Sequence, residues 1–390
     1  MSDEKRLLAD HVVVGDGVFD QAYVVVRDGR IAEIVPREPG SGSRPVDSRG
    51  PAAEGQRLAG WLVPGFVDTH NHGGGGADFA TTDPDEVRRA VAFHLAHGTT
   101  ATLASLVTAA PETYDEQLAT LAPLVAAGEL AGVHLEGPFL SPEQPGAHDP
   151  TLLARPSPEA VERLIDAGAG SIRMVTLAPE LPGGLAAIER LVEAGVVVAF
   201  GHSDADEGVV RDAIGAGARV ATHLFNAMRP IHHREPGPVP RLLTDPRVTV
   251  ELICDGFHLH PDVIAMAVDT AGPARVALVT DAMLAAGAAG GRYQLGSLAV
   301  EVTDGQARLV DADGSLGSIA GSTLTMGDAF ELVVSLGIPI VDAARMAATT
   351  PADRHGLVEV GVIEPGRRAD FCLVDDDGRL QRVMRAGHWV

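Results

Sequence analysis

The sequence predicts an α/β fold: a (β/α)8 TIM-type barrel with a small β-sandwich domain built from both termini. Three observations predict it. The middle of the chain alternates short apolar runs with helical stretches. Both ends alternate in a β manner while the middle does not. Residue types that bind metals stand directly behind several of the apolar runs, and a barrel places its chemistry at the C-terminal ends of its strands.

At the N-terminus, His11-Val12-Val13-Val14, the turn Gly15-Asp16-Gly17, Ala22-Tyr23-Val24-Val25-Val26, the turn Arg27-Asp28-Gly29-Arg30 and Ile31-Ala32-Glu33-Ile34-Val35 read as a small antiparallel sheet. The Pro/Gly/Ser-rich segment 36–55 reads as a loop or linker. Segments 370–374 and 382–390 resume β character, so the two ends are expected to pair. This assigns 1–57 and 365–390 to the β domain and 58–364 to the barrel. In the barrel, Leu62-Val63-Pro64-Gly65-Phe66-Val67 reads as the opening buried strand. Further strands are expected at 99–104, 132–136, 172–177, 196–200, 219–222, 248–253 and 275–280, which completes eight β/α units. Helical patterns at 85–97, 158–167 and 184–194 lie between them, several with Pro or Asp near the start.

With 390 residues, 45% of them hydrophobic, the chain can bury a large core. Its net charge of −23 argues against nucleic acid and anionic membrane surfaces as partners. Two cysteines make no disulfide framework, and no signal peptide or long apolar span is seen, so a cytoplasmic location is expected. Lys5 is the sole lysine, which excludes mechanisms that need an internal lysine: Schiff-base aldolases, pyridoxal-phosphate enzymes and Walker-type phosphate loops.

His70 and His72 are spaced i, i+2, which in extended chain puts both imidazoles on one face. The glycines at 73–76 leave room for a ligand against bare backbone, so this pair reads as half of a metal site. The later strands run into Glu136, His202, His223, the segment Asp255–His258, and Asp281. Glu136, His202 and His223 suit one divalent cation with an open position for water. Alone, each would be an ordinary polar residue; on one rim they point to a metal site. His134 shares the inward face with Glu136 and reads as part of a packed polar layer. His94, His97 and His355 fall in helical or loop sequence with no part in chemistry, and Cys254 reads as a buried small side chain.

Several segments carry a resemblance over essentially the whole length. They are Pro64–His70, His134-Leu135-Glu136-Gly137-Pro138, Gly146-Ala147-His148-Asp149-Pro150, Gly201-His202-Ser203, 222–228, His233-Arg234-Glu235-Pro236-Gly237, Asp281-Ala282-Met283 and 321–326. On them the chain resembles the N-acetylglucosamine-6-phosphate deacetylase family of the amidohydrolase superfamily. That resemblance implies the barrel with its terminal β domain, a two-fold homodimer, and one or two divalent metals per subunit. Glu136, His202 and His223 would hold the main metal; His70 and His72 would hold a second, with Glu136 bridging. Zn²⁺ is the expected ion, with Fe²⁺ or another as the alternative.

The implied reaction hydrolyses the acetamide of N-acetyl-D-glucosamine 6-phosphate to D-glucosamine 6-phosphate and acetate, in amino-sugar catabolism and cell-wall recycling. A metal-bound hydroxide would attack, with Asp281 taking the water proton and handing it to the leaving amine. Ala147, His148, Asn226, Ala227, Arg234, His258, Ile319, Ala320 and Gly321 would contact the substrate, Arg234 reaching its phosphate across the dimer interface. The N-acetylgalactosamine 6-phosphate isomer is an alternative substrate. Cyclic-amide hydrolases of the superfamily use a carboxylated lysine at the end of strand four, where this chain has Leu177-Ala178-Pro179-Glu180. A catalytically dead scaffold would show ligand losses, and none is visible.

Overall fold

The computed structural model describes residues 4–37 and 55–390, so most of the loop expected at 36–55 lies outside the described residues. The barrel is an eight-stranded sheet of Phe66–Asp68, Thr99–Leu106, Gly132–Glu136, Ile172–Leu177, Val197–Phe200, Val220–Ala221, Thr249–Ile253 and Val276–Val279, neighbours in space in that order. Every adjacent pair is parallel. These strands are almost wholly buried, as expected where helices cover the outer face and side chains fill the interior.

Between the last and first strands the joint is made just beyond their ends. Asp281 N donates to His70 O and His72 N to Ala282 O, both at 2.8 Å. Thr280 Oγ1 donates to Asp68 Oδ2 at 2.7 Å.

The helices start where the sequence places caps. Asp83 accepts from Asp85 N before Pro84–Ala96, Ser157 from Ala160 N before Pro158–Gly168, and Asp206 from Val209 N before Glu207–Ala216. Each such cap is worth about 1 kcal/mol. Val161, Leu164, Ile188 and Leu191 turn inward onto Val133, Leu135, Val175 and Val198. No described helix is long and apolar enough to cross a membrane.

The ends do pair. Gln56–Pro64 lies antiparallel to Phe371–Val374 and parallel to Glu4–Val14. The β-sandwich expected of the termini is, by connectivity, one seven-stranded sheet packed on Leu7, Val24, Leu62, Phe371 and Met384.

One strand departs from expectation: the run 62–67 is two elements. Pro64 ends the terminal-sheet strand and Phe66 begins the barrel. The chain crosses at Gly65, where a Cβ would lie 2.3 Å from Thr100 Oγ1, so any side chain would force the two strands apart. The expected boundary at 57/58 therefore falls inside Gln56–Pro64.

A further element had no counterpart in the sequence reading. Gly291–Leu295, Leu298–Thr303, Gln306–Val310 and Leu316–Ile319 form a four-stranded antiparallel sheet after the last barrel strand. Its Leu295, Val300, Val302 and Ala307 pack on Val107, Met283 and Ala285 at the barrel rim.

Candidate active site

The rim residues meet at Glu136, 3% exposed at the end of the third barrel strand. Its two oxygens face different partners. Oε1 lies 3.0 Å from both His202 Nε2 and His223 Nε2, which are 3.1 Å from one another. Oε2 lies 3.5 Å from His70 Nε2 and 3.2 Å from His72 Nε2. Asp281 Oδ1 joins this second group, 3.3 Å from His70 Nε2 and 3.2 Å from His72 Nε2.

His202, His223 and Asp281 all stand immediately past strand ends with positive φ (48°, 28° and 48°), a left-handed backbone that non-glycine residues adopt at a cost. Asp281 is braced there by Ser322 N, which donates to its carbonyl at 2.7 Å. Gly146 is the close approach behind His202, since a Cβ there would meet His202 Cε1 at 2.7 Å.

The hydrogen bonds fix ring orientation. His202 Nδ1 donates to Gln144 O (3.0 Å), so a neutral ring points the Nε2 lone pair at Glu136. His70 Nδ1 donates to Glu251 Oε2 (3.3 Å), with the same consequence. Lone pairs facing carboxylate oxygens at this range repel unless a cation sits among them. Donor atoms about 2.0–2.2 Å from a tetrahedral Zn²⁺ are themselves about 3.3–3.5 Å apart, close to the spacings in both groups.

Among the described residues no arginine or lysine is paired with the buried Glu136 or Asp281; their ion-pair partners are all imidazoles. Protons register the same demand for positive charge. Burial opposes a charged His72, but Asp281 and Glu136 outweigh it and lift the ring to about 9. His70 is held well above its ordinary value by the same carboxylates against the same burial. These residues fit a divalent metal.

His148 is different. Thr108 N donates to its Nδ1 at 3.2 Å, so the ring proton sits on Nε2, 3.3 Å from Glu136 Oε2. Burial drives this ring down to about 4 and keeps it neutral. It is therefore a donor aimed into the site, although its nitrogen lies close enough to Glu136 and His202 to be grouped with them as ligands.

A cavity of about 570 Å³ opens over this cluster. Of the residues expected to contact substrate, Ala147, His148, Asn226, Ala227, His258, Ile319 and Gly321 line it. Ala320 is fully buried behind that wall. Arg234 is not in the wall; it is exposed, with Nη1 2.7 Å from His233 Nε2. No arginine or lysine lines the cavity among the described residues. His258 is anchored by Nδ1 donating to Asp255 Oδ2 at 2.7 Å. Sequence reasoning missed Thr108, Leu295 and Ser318; the last two come from the four-stranded insert.

His134 keeps to its polar layer, with Ser105 Oγ at 2.9 Å from Nδ1 and Thr176 Oγ1 at 2.8 Å from Nε2. Cys254 is buried, which pushes its thiol up and leaves it unreactive.

A barrel whose rim gathers four histidines and one aspartate around a single buried glutamate is the arrangement of a metal-dependent hydrolase, and the chain belongs to the amidohydrolase family, whose profile matches residues 61–390. Within it, the similarity narrows to amino-sugar phosphate deacetylases. The N-acetylglucosamine-6-phosphate deacetylase of Lysinibacillus sphaericus is 33% identical, over 96% of this chain and 95% of that protein. The N-acetylgalactosamine-6-phosphate deacetylase of Escherichia coli O157:H7 is 34% identical, over 98% of each. The Mycobacterium smegmatis N-acetyl-D-glucosamine-6-phosphate deacetylase, solved as an aspartate-to-alanine variant with N-acetyl-D-glucosamine-6-phosphate, superposes with a TM-score of 0.92 at 45% identity, covering 99% of each chain.

Proposed function

We propose that the protein hydrolyses the acetamide of N-acetyl-D-glucosamine 6-phosphate, releasing acetate and D-glucosamine 6-phosphate. The observation that carries this reading is the divided Glu136 carboxylate, with one oxygen toward His202 and His223 and the other toward His70 and His72, at the floor of a cavity whose lining also holds Asp281 and His148. Glu136, His202 and His223 would hold one divalent ion; His70, His72 and Glu136 would hold a second, with Zn²⁺ ahead of Fe²⁺. Such an ion supplies Lewis acidity toward the acetyl carbonyl and lowers the pKa of water.

The protein's own groups do the rest. Asp281 takes a proton from the attacking water and delivers it to the amide nitrogen as the C–N bond breaks, so the amine departs neutral. His148 donates from Nε2 to the acetyl oxygen as negative charge builds there. Ile319 and Gly321 shape the sugar wall together with Ala147 and Leu295, with Ala320 buried between them in the chain. His258 and the backbone of Asn226 and Ala227 offer donors to the phosphate.

Because no arginine or lysine among the described residues lines the cavity, we place Arg234 of each subunit in the other's cavity within a two-fold dimer. Exposed Ile231, within the same segment, supplies apolar surface there. The terminal sheet is taken as a β domain separate from the barrel. Cytoplasmic residence suits two buried free cysteines.

The test is acetate release from N-acetylglucosamine 6-phosphate beside its unphosphorylated and galacto analogues. Fastest release from the phosphorylated gluco compound is expected. No release from either phosphorylated sugar overturns the reading. Preference for the galacto compound installs the second reading, which the Escherichia coli relative favours.

A further inference from the structure

We infer that Glu251, which touches no part of the cavity, is the positioning residue that makes the His70–His72 half of the centre a second metal site. The inference rests on the metal reading above. Glu251 lies on the seventh barrel strand, Thr249–Ile253, 1% exposed. A carboxylate there is out of place: its strand neighbours Val250, Leu252 and Ile253 are apolar and buried, and burying a charge is costly unless it is used. Its oxygens are both engaged. Oε1 accepts from Thr69 Oγ1 at 3.1 Å and Oε2 from His70 Nδ1 at 3.3 Å.

Each oxygen of Glu136 faces a pair of histidines, and in each pair one ring is held by its outer nitrogen. His202 is held by the Gln144 carbonyl and His70 by Glu251. The outer nitrogens of His223 and His72 have no partner among the described residues. The two anchors differ in charge. A carbonyl only orients an imidazole, whereas a buried carboxylate also raises its electron density and adds a negative charge near the metal. Glu251 therefore gives the His70–His72 site an affinity that the two imidazoles and Glu136 Oε2 would not supply without it. Thr69, adjacent to His70 in the chain, fixes the rotamer of Glu251 in turn.

The experiment titrates metal-stripped protein with Co²⁺, following the absorption of each bound equivalent, for the wild type, Glu251→Gln and Glu251→Ala. Glutamine keeps the volume and an acceptor for His70 Nδ1–H but removes the charge; alanine removes both. Two equivalents are expected in the wild type. The weaker one should lose about 10–100-fold in affinity in Glu251→Gln and more in Glu251→Ala, while the tighter one is unchanged.

Two equivalents of unaltered affinity in both variants overturn the assignment. Equal weakening of both equivalents also overturns it, because that marks a general loosening of the barrel. A single wild-type equivalent removes the second site and the role of Glu251 with it, but leaves deacetylation on Glu136, His202 and His223 standing. If Glu251→Ala does not fold, the Glu251→Gln titration decides alone. Acetate release by the wild type is scored separately: its failure sinks the proposed reaction without touching the titration.

Discussion

Two histidines in the barrel interior, His70 and His134, stack edge to face with ring centroids 4.6 Å apart, yet their surroundings give them opposite characters. His134 is enclosed by hydroxyls, and burial together with the charge on His70 drives it well below the ordinary imidazole value. His70, equally buried, is surrounded by the carboxylates of Glu136, Asp281 and Glu251 and is driven the other way. Burial alone fixes neither outcome; the neighbours decide whether a buried ring is inert packing or a cation ligand. Changes in the carboxylate-rich rim should therefore cost metal and turnover, and changes in the hydroxyl-lined layer should cost stability.

The largest effect is expected from the shared carboxylate. Glu136→Gln, like full chelation of the wild type, should abolish acetate release and leave less than one metal per chain by elemental analysis; near-normal metal content would break the contrast. Asp281→Asn should keep the fold and the metal held by His202 and His223, and lose ~10²–10⁴-fold in kcat, the usual worth of a general acid–base group. Turnover close to wild type would remove Asp281 from the mechanism.

Next comes the phosphate-binding role proposed for Arg234. Arg234→Ala and Asp281→Asn, each nearly inactive, are unfolded together and refolded. Random two-fold pairing should restore up to about a quarter of wild-type activity if Arg234 works across the interface, and none if it works within its own chain.

In the other layer, His134→Ala should lower stability by about 1–3 kcal/mol through the lost hydrogen bonds to the Ser105 and Thr176 hydroxyls, with metal content unchanged. Metal loss in that variant would show the layers to be one unit. The smallest effect is a pH slope. His94 and His355, buried away from the rim carboxylates, are depressed by burial to about 4 and about 3. Both stay neutral in the fold while the unfolded chain takes up protons below about pH 6.5. Stability should fall as the pH drops from about 6.5 toward 4, at up to about 1.4 kcal/mol per pH unit for each ring. Thermal melts of His94→Phe should show a shallower slope than wild type.

The rim was legible because each of its residues follows an apolar run, so a change of residue type marks the strand end. Glu251 was not, because it sits inside the run 248–253, where a lone carboxylate reads as an outward-facing residue. The available signal was the strand itself: central barrel strands are buried on both faces, so a glutamate within one has no exposed side to occupy. The insert at 291–319 also went unread, although Gly296-Ser297, Asp304-Gly305 and Asp313-Gly314 mark its turns between alternating segments. Strand ends at 62–67 were blurred because an unbroken apolar run serves two sheets in succession, and only the Pro64-Gly65 step divides them. Arg234 lies exposed and outside the cavity wall, so the place proposed for it across a dimer interface is not legible in one chain.

The joint between the last and first barrel strands has a consequence for the order in which the protein acquires its two half-sites during synthesis. Glu136, His202 and His223 come from the third, fifth and sixth strands, so a ribosome that has released about the first 225 residues has already delivered all three. The other half draws His70 and His72 from beyond the first strand and Asp281 from beyond the eighth, and these are the residues whose backbones close the ring. A nascent chain can thus present one half-site early, while the other comes into being only at the moment of ring closure.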